Sequence, residues 1–302
     1  MYFTIAKEDA FMDNYVPKIA AIHDLSGFGR CSLMVIIPVL STMGIQVCPV
    51  PTAILSTHSG GFGKFSFTDL TDNMDDYISH WKSIGIKFDC IYSGFLGSER
   101  QIDIISNFFK DFKLKSNPLI VVDPVMADHG KLYATYTIEM KQKMELLVRK
   151  ADIITPNLTE TYFLLNEPYH EGAVDEKEMK RILKKLSQMG PSMIVITGIM
   201  EKCNHRCNIG YDKCKDKYWK VRYKQIPADY PGTGDVFASV LTGGFLTGDS
   251  LPVAMDRATQ FLYAAIKETY RCKTPNREGI LLEKVLGLLN NRNIKYSYEA
   301  IS

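Results

Sequence analysis

No stretch of this 302-residue sequence is long and apolar enough to span a bilayer. A dominant charge sign is also lacking. Lys and Arg number 36 against 34 Asp and Glu, a formal +2, so no general attraction to nucleic acid or to a membrane surface is implied. The seven cysteines are odd in number and lie mostly in apolar runs, which argues against a disulfide framework and for reduced thiols in a cytoplasm. The opening residues, MYFTIAKEDAFMDNY, carry acids where a secretory leader would be basic and then apolar. Internal repeats, low-complexity tracts and linkers are missing as well. What is present is a globular composition, 46% hydrophobic and 23% charged, with ample material for a core. The expectation is one cytoplasmic domain over residues 1–302, with an N-terminal extension at 1–17 and a C-terminal tail at 292–302.

Short apolar runs alternate with longer helical patterns. Ile19–His23, Ile45–Val50, Phe88–Tyr92, Leu119–Asp123, Asp152–Thr155 and Met193–Thr197 read as strands covered on both faces, as in a parallel sheet. Asp175–Met189 reads as a helix, with Met179, Ile182, Leu183 and Leu186 at helical spacing and Gly190 as its stop. Residues Asn208–Tyr223 read as a hairpin, and Asp235 to Asn291 as helical. This alternation predicts an α/β fold of three layers, a doubly wound, mostly parallel sheet flanked by helices. Ligands of such sheets gather at the carboxyl ends of the strands. Polar or glycine-rich clusters fall there at His23–Gly29, Thr52–Gly63, Ser93–Gly97, Asp123–Met126, Thr155–Glu160 and Thr197–Gly198.

The segment Pro231-Gly232-Thr233-Gly234-Asp235 leads into a small-residue-rich helical stretch. Glycines let backbone N–H groups turn inward, and the positive end of the following helix lies at the same place, making an anion cradle. An acid beside bound phosphate accepts the proton of an attacking hydroxyl in kinase chemistry. The alternative is an ordinary helix start capped by Thr233 or Asp235. Cys203, His205, Cys207 and Cys214 invite a zinc reading. Their spacings match no paired C-x₂-C pattern, and an exposed hairpin tip is the better account.

These segments, in this order, resemble the ribokinase-like superfamily and, within it, the pyridoxal (vitamin B6) kinases. The motifs are GTGD at Gly232–Asp235, DPVM at Asp123–Met126, TPNLTE at Thr155–Glu160, SGFLGS at Ser93–Ser98, and the Thr52–Gly63 run. The first loop, HDLSGFGR, departs from the B6 pattern. Asp24 with Ser26-Gly27 is more like the hydroxymethylpyrimidine kinases of thiamine synthesis, although Phe28 and Arg30 replace that branch's glycine-rich continuation.

The resemblance implies ATP-dependent phosphorylation of the 5'-hydroxymethyl group of pyridoxal, pyridoxine or pyridoxamine, with hydroxymethylpyrimidine as the alternative acceptor. Asp235 is the expected base, and Gly232, Thr233 and Gly234 the expected oxyanion donors. Asp24, Ser26, Thr52, His58, Phe95 and Tyr133 are expected at the acceptor, Tyr133 from a flap hinged at Gly130. Asp123, Asp128, Asn157, Glu160 and Thr197 are expected at ATP, with Asp123 and Glu160 holding Mg²⁺. Strand-end turns and helix caps are the competing roles for Asp123, Asn157 and Glu160. The resemblance also implies a homodimer and leaves room for a monovalent cation such as K⁺.

Overall fold

The computed structural model describes residues 15–201, 205–291 and 296–301. Strands β1 (Lys18–Phe28), β2 (Gln46–Thr57) and β3 (Phe67–Asp69) enclose helix α1 (Leu33–Thr42). Helix α2 (Thr71–Ser83), β4 (Cys90–Ser93), α3 (Glu99–Ser116) and β5 (Leu119–Val122) follow. A small two-stranded flap, β6 (Ala127–Asp128) and β7 (Lys131–Leu132), precedes α4 (Ile138–Val148), β8 (Ile153–Ile154), α5 (Leu158–Leu164) and α6 (Glu176–Met189). Then come β9 (Met193–Met200), β10 (Arg206–Asp212), β11 (Lys217–Tyr223), α7 (Thr233–Leu246), α8 (Leu251–Cys272), three 3₁₀ turns between Asn276 and Asn290, and β12 (Glu299–Ala300).

The main sheet runs β12-β11-β10-β9-β8-β5-β4-β1-β2-β3. Its centre, from β2 through β9, is parallel, and antiparallel strands close both edges. The reason lies in side-chain alternation. Along β1, Ala20 and Ile22 face one apolar layer and Ile19 and Ala21 the other. Strand β5 repeats this with Ile120 and Val122 against Leu119 and Val121. One layer is covered by α2 to α6, the other by α1, α7 and α8. This is the three-layer, mostly parallel α/β architecture expected.

The structure departs from the sequence reading in several places. Both β1 and β2 run five or more residues past the apolar cores at Ile19–His23 and Ile45–Val50. Their pairing resumes after a register shift between His23 and Leu25, so Asp24, Ser26 and Thr52 lie on strands rather than in loops. The segment after α8 forms 3₁₀ turns, not α-helix, because Pro275 and Gly279 interrupt it. The tail returns to the sheet, where Glu299 and Ala300 pair with Lys220 and Trp219. The hairpin at 208–223 is present as β10 and β11, but Cys207 is fully buried on β10 while only Cys214 sits exposed at the turn. Cys203 lies outside the described residues. Among the described residues no helix is long and apolar enough to cross a membrane.

Candidate active site

Four acids line the carboxyl edge of the parallel strands. Asp24, buried on β1, accepts from the Ser32 hydroxyl at 2.6 Å and the Ser26 hydroxyl at 3.1 Å. Asp235, in the first turn of α7, accepts the Ser32 backbone N–H at 2.8 Å. Burial pushes the Asp235 carboxyl up to about 7; the Ser32 N–H opposes the rise and the Asp24 charge adds to it. Asp123, directly after β5, is buried, and burial followed by the charge of Asp235 pushes it up to about 8. The Thr155 hydroxyl lies beside it and opposes the rise, although no formed hydrogen bond joins them. Glu160, buried in the first turn of α5, is raised well above the usual carboxylate range by burial and then by Asp123. Each acid raises the next, so the row favours bound protons that a cation would displace.

The backbone places α7 over this row. Gly232 caps the helix with φ +79°, and a Cβ there would lie 2.2 Å from the Arg30 carbonyl oxygen. Only glycine fits both conditions. A Cβ at Gly234 would lie 3.8 Å from Asp123 Oδ2, so the first turn of α7 stands against the second acid. A cleft of about 450 Å³ opens beside it, lined by Asn157, Thr197, the α7 residues Thr233 and Gly234, and Leu262, Tyr263 and Ile266 of α8. The arrangement offers amide donors for an anion, acids for a cation, and an apolar wall for a flat ring.

The expected residues differ in burial and in the partners the protein itself supplies. Asp128 is exposed at the flap, where its Oδ1 accepts the His129 N–H at 2.8 Å. Positive φ at His129 and Gly130 turns that flap, and Tyr133 follows it. Burial and the nearby Glu160 and Asp128 charges raise the Tyr133 phenol. Thr197 bridges to Asn157 as an isolated parallel pair. Thr52 is buried, its carbonyl holding Gln101 Nε2 at 3.1 Å and the Leu70 N–H at 3.1 Å. Phe95 is half-buried against the core.

Three residues have both side-chain polar positions occupied by protein. Asn157 caps α5, accepting the Glu160 N–H at 2.9 Å and donating to the Ala127 carbonyl at 2.8 Å. Glu160 completes a capping box through the Asn157 N–H at 2.8 Å and also accepts the Met126 N–H at 3.1 Å. His58 meets the Arg277 carbonyl at 2.6 Å through Nε2 and accepts the Gly60 N–H at 3.1 Å through Nδ1. Its ring closes the 58–63 loop and stands edge-on to Phe62, which also meets Phe28.

Sequence reasoning missed Ser32, which joins Asp24 to Asp235, and the α8 wall of the cleft. The wall had a readable signal. Thr259, Leu262, Tyr263 and Ile266 recur at one helical face, and the three apolar members stay half-buried.

The phosphomethylpyrimidine kinase family model matches residues 39–278. A Bacteroides thetaiotaomicron protein, provisionally named a phosphomethylpyrimidine kinase and crystallised with pyridoxal, is 50% identical; the match covers 95% of this chain and 100% of that one, with a TM-score of 0.89. The crystal structure of pyridoxal kinase from Lactobacillus plantarum is 29% identical, covering 91% of this chain and 97% of that one, at a TM-score of 0.83. Human pyridoxal kinase is 24% identical over 263 residues, 80% of this chain and 82% of its own length.

Proposed function

The chain belongs to the phosphomethylpyrimidine kinase family, and from that premise we propose that it is an ATP-dependent pyridoxal kinase. It transfers the γ-phosphoryl group to the 5'-hydroxymethyl of pyridoxal, pyridoxine or pyridoxamine. The observation that carries this reading is Asp235, held by the Ser32 N–H at the first turn of α7 with a carboxyl pushed up to about 7. Such a group takes a proton from a weakly acidic alcohol near neutral pH. The 50% identical relative crystallised with pyridoxal favours a pyridine acceptor.

In this reading the acceptor lies near Asp24, Ser26, Thr52, Phe95 and Tyr133, with its hydroxymethyl toward Asp235. The backbone N–H groups of Gly232, Thr233 and Gly234 hold the charge developing on the transferred group. ATP occupies the 450 Å³ cleft, its phosphates at the start of α7 near Thr197 and Asp128, its base against Leu262, Tyr263 and Ile266. The flap bearing Tyr133 excludes water, so that the alcohol is the acceptor.

The donor set suits Mg²⁺, which binds through one or two carboxylates, water and substrate phosphates. Asp123 would hold it directly. Glu160, already accepting two backbone N–H groups, would act through water. The ion would neutralise charge between the phosphates. His58 and Asn157 hold the loops that carry the site. The active form proposed is a cytoplasmic homodimer, tested by sedimentation; exchanging K⁺ for Na⁺ in the assay tests the monovalent cation.

Hydroxymethylpyrimidine is the second reading, favoured by Asp24 with Ser26-Gly27 in the first strand–loop segment. An ADP-release assay over pyridoxal, pyridoxine, pyridoxamine and hydroxymethylpyrimidine decides between them. Pyridoxal-class turnover exceeding pyrimidine turnover supports the first; the reverse order supports the second. ATP cleavage with none of the four overturns both.

A further inference from the structure

Ser32 occupies the N-cap of α1, yet it makes no side-chain cap hydrogen bond. A serine there ordinarily accepts from the first free N–H groups of its helix. Here φ is +50° with ψ −133°, a positive-φ conformation outside the left-handed helical basin that strains a residue with a side chain. The hydroxyl instead donates to Asp24 Oδ1 at 2.6 Å, and the Ser32 N–H donates to Asp235 Oδ2 at 2.8 Å. One residue thus joins the acid of β1 to the acid of α7, 211 positions apart in number, through two short hydrogen bonds. Its carbonyl still serves the helix, accepting from Val35 and Ile36.

The turn carrying Ser32 is held from outside. The Arg30 N–H and Nη1 both donate to the Glu278 carbonyl, at 3.1 and 3.2 Å, and Arg30 Nε lies 3.0 Å from Glu283. Gly232 and Gly279 pack so closely on Arg30 that a Cβ at either would lie within 2.7 Å of its carbonyl oxygen. A strained backbone residue persists where its surroundings over-determine it, and such strain collects at functional sites. The strain has no packing benefit to α1, since the cap bond is forgone.

We propose that Ser32 is a positioning residue that fixes the acceptor-binding acid Asp24 at a set separation from the base Asp235. It acts through Asp24, without touching the reacting atoms. This rests on the kinase reading, in which Asp24 faces the ring and Asp235 the hydroxymethyl.

Ser32→Ala and Ser32→Gly both delete the hydroxyl, and the glycine variant also relieves the positive-φ strain, so its fold is secure. The test measures binding of pyridoxal and of hydroxymethylpyrimidine by calorimetry without ATP, then kcat and both KM values, for wild type, both Ser32 variants, Asp24→Asn and the double variants. Loss of a hydrogen bond to a charged group predicts acceptor binding and acceptor KM weakened by about 10-fold to 100-fold. KM for ATP should stay within about twofold. In the Asp24→Asn background the Ser32 changes should cost less than in wild type, since the amide Oδ1 still accepts the hydroxyl but a bond to a neutral group is worth less. Additive losses, unchanged acceptor binding, or equal weakening of ATP and acceptor would each overturn the proposal. A wild type that binds neither acceptor would instead overturn the kinase reading on which it rests.

Discussion

At Asp235 burial favours the neutral acid while catalysis needs the carboxylate. The Ser32 N–H moderates the conflict, leaving a group pushed up to about 7 that is partly ionised at physiological pH. Asp235→Asn should lower kcat by about 10² to 10⁴, the usual size of a general-base effect, while ATP binding measured by calorimetry persists. The acid limb of the wild-type kcat/KM profile should fall as pH drops through about 7, because protonation removes the base. A profile flat from pH 8 to about pH 5.5 would sink the assignment. The stability consequence has its own sign. Asp123 rises from 3.8 to about 8, so the folded chain binds that proton more tightly than the unfolded chain. The contribution of Asp123 to the stability of the ligand-free protein therefore falls as pH rises from about 4 to about 8. Asp123→Asn removes this loss and should raise the melting temperature at pH 8.5 by roughly 3 °C or more, since about 1 kcal/mol moves a large domain by roughly 2–4 °C. Added Mg²⁺-ATP should stabilise wild type and leave that variant nearly unmoved. A melting temperature at or below wild type at that pH would contradict the burial argument.

Among the elements, the turn into α7 is the most constrained. Gly232→Ala would force a Cβ to 2.2 Å from the Arg30 oxygen at φ +79°. It should abolish most turnover and cost at least about 1–3 kcal/mol in denaturant unfolding. Wild-type stability and rate together would refute the close approach. The elements also differ in how far the sequence announces them. Parallel strands such as Leu119–Val122 were legible because both faces are buried and the run is wholly apolar. The outer halves of β1 and β2 were not, because the polar residues that end a strand at a ligand site look like loop residues. GTGD stood out because its glycines and acid open a small-residue helix, although an ordinary capped helix start reads the same way. The Asn157 helix cap was among the roles its sequence offered, whereas those of His58 and Ser32 were hidden for a different reason. Each is decided by a partner distant in sequence or by a backbone carbonyl, and neither leaves a local pattern.

For the molecule as a whole, the segment from Asn276 to Glu283 straps together the loops that carry Arg30 and His58. It holds Arg30 through Glu278 and Glu283, and His58 through the Arg277 carbonyl. The Arg277 guanidinium lies 5.2 Å over the Phe62 ring and 3.4 Å from the Gly61 carbonyl. Arg277→Ala should therefore raise KM for the vitamer by about 3-fold to 10-fold, as expected for losing a cation–π contact of roughly 0.5–1 kcal/mol plus a hydrogen bond. Steady-state kinetics should show kcat and KM for ATP unchanged; a fall in kcat alone would mean the strap serves the phosphoryl side instead.

That strap joins segments made at opposite times. Residues 18 to 32 leave the ribosome early, whereas their partners at 278 and 283 are synthesised about 250 residues later. A chain lacking those partners would lack the contacts that hold Arg30, whatever its sheet has achieved. The turn that carries Ser32 is thus completed only by residues far downstream in the chain.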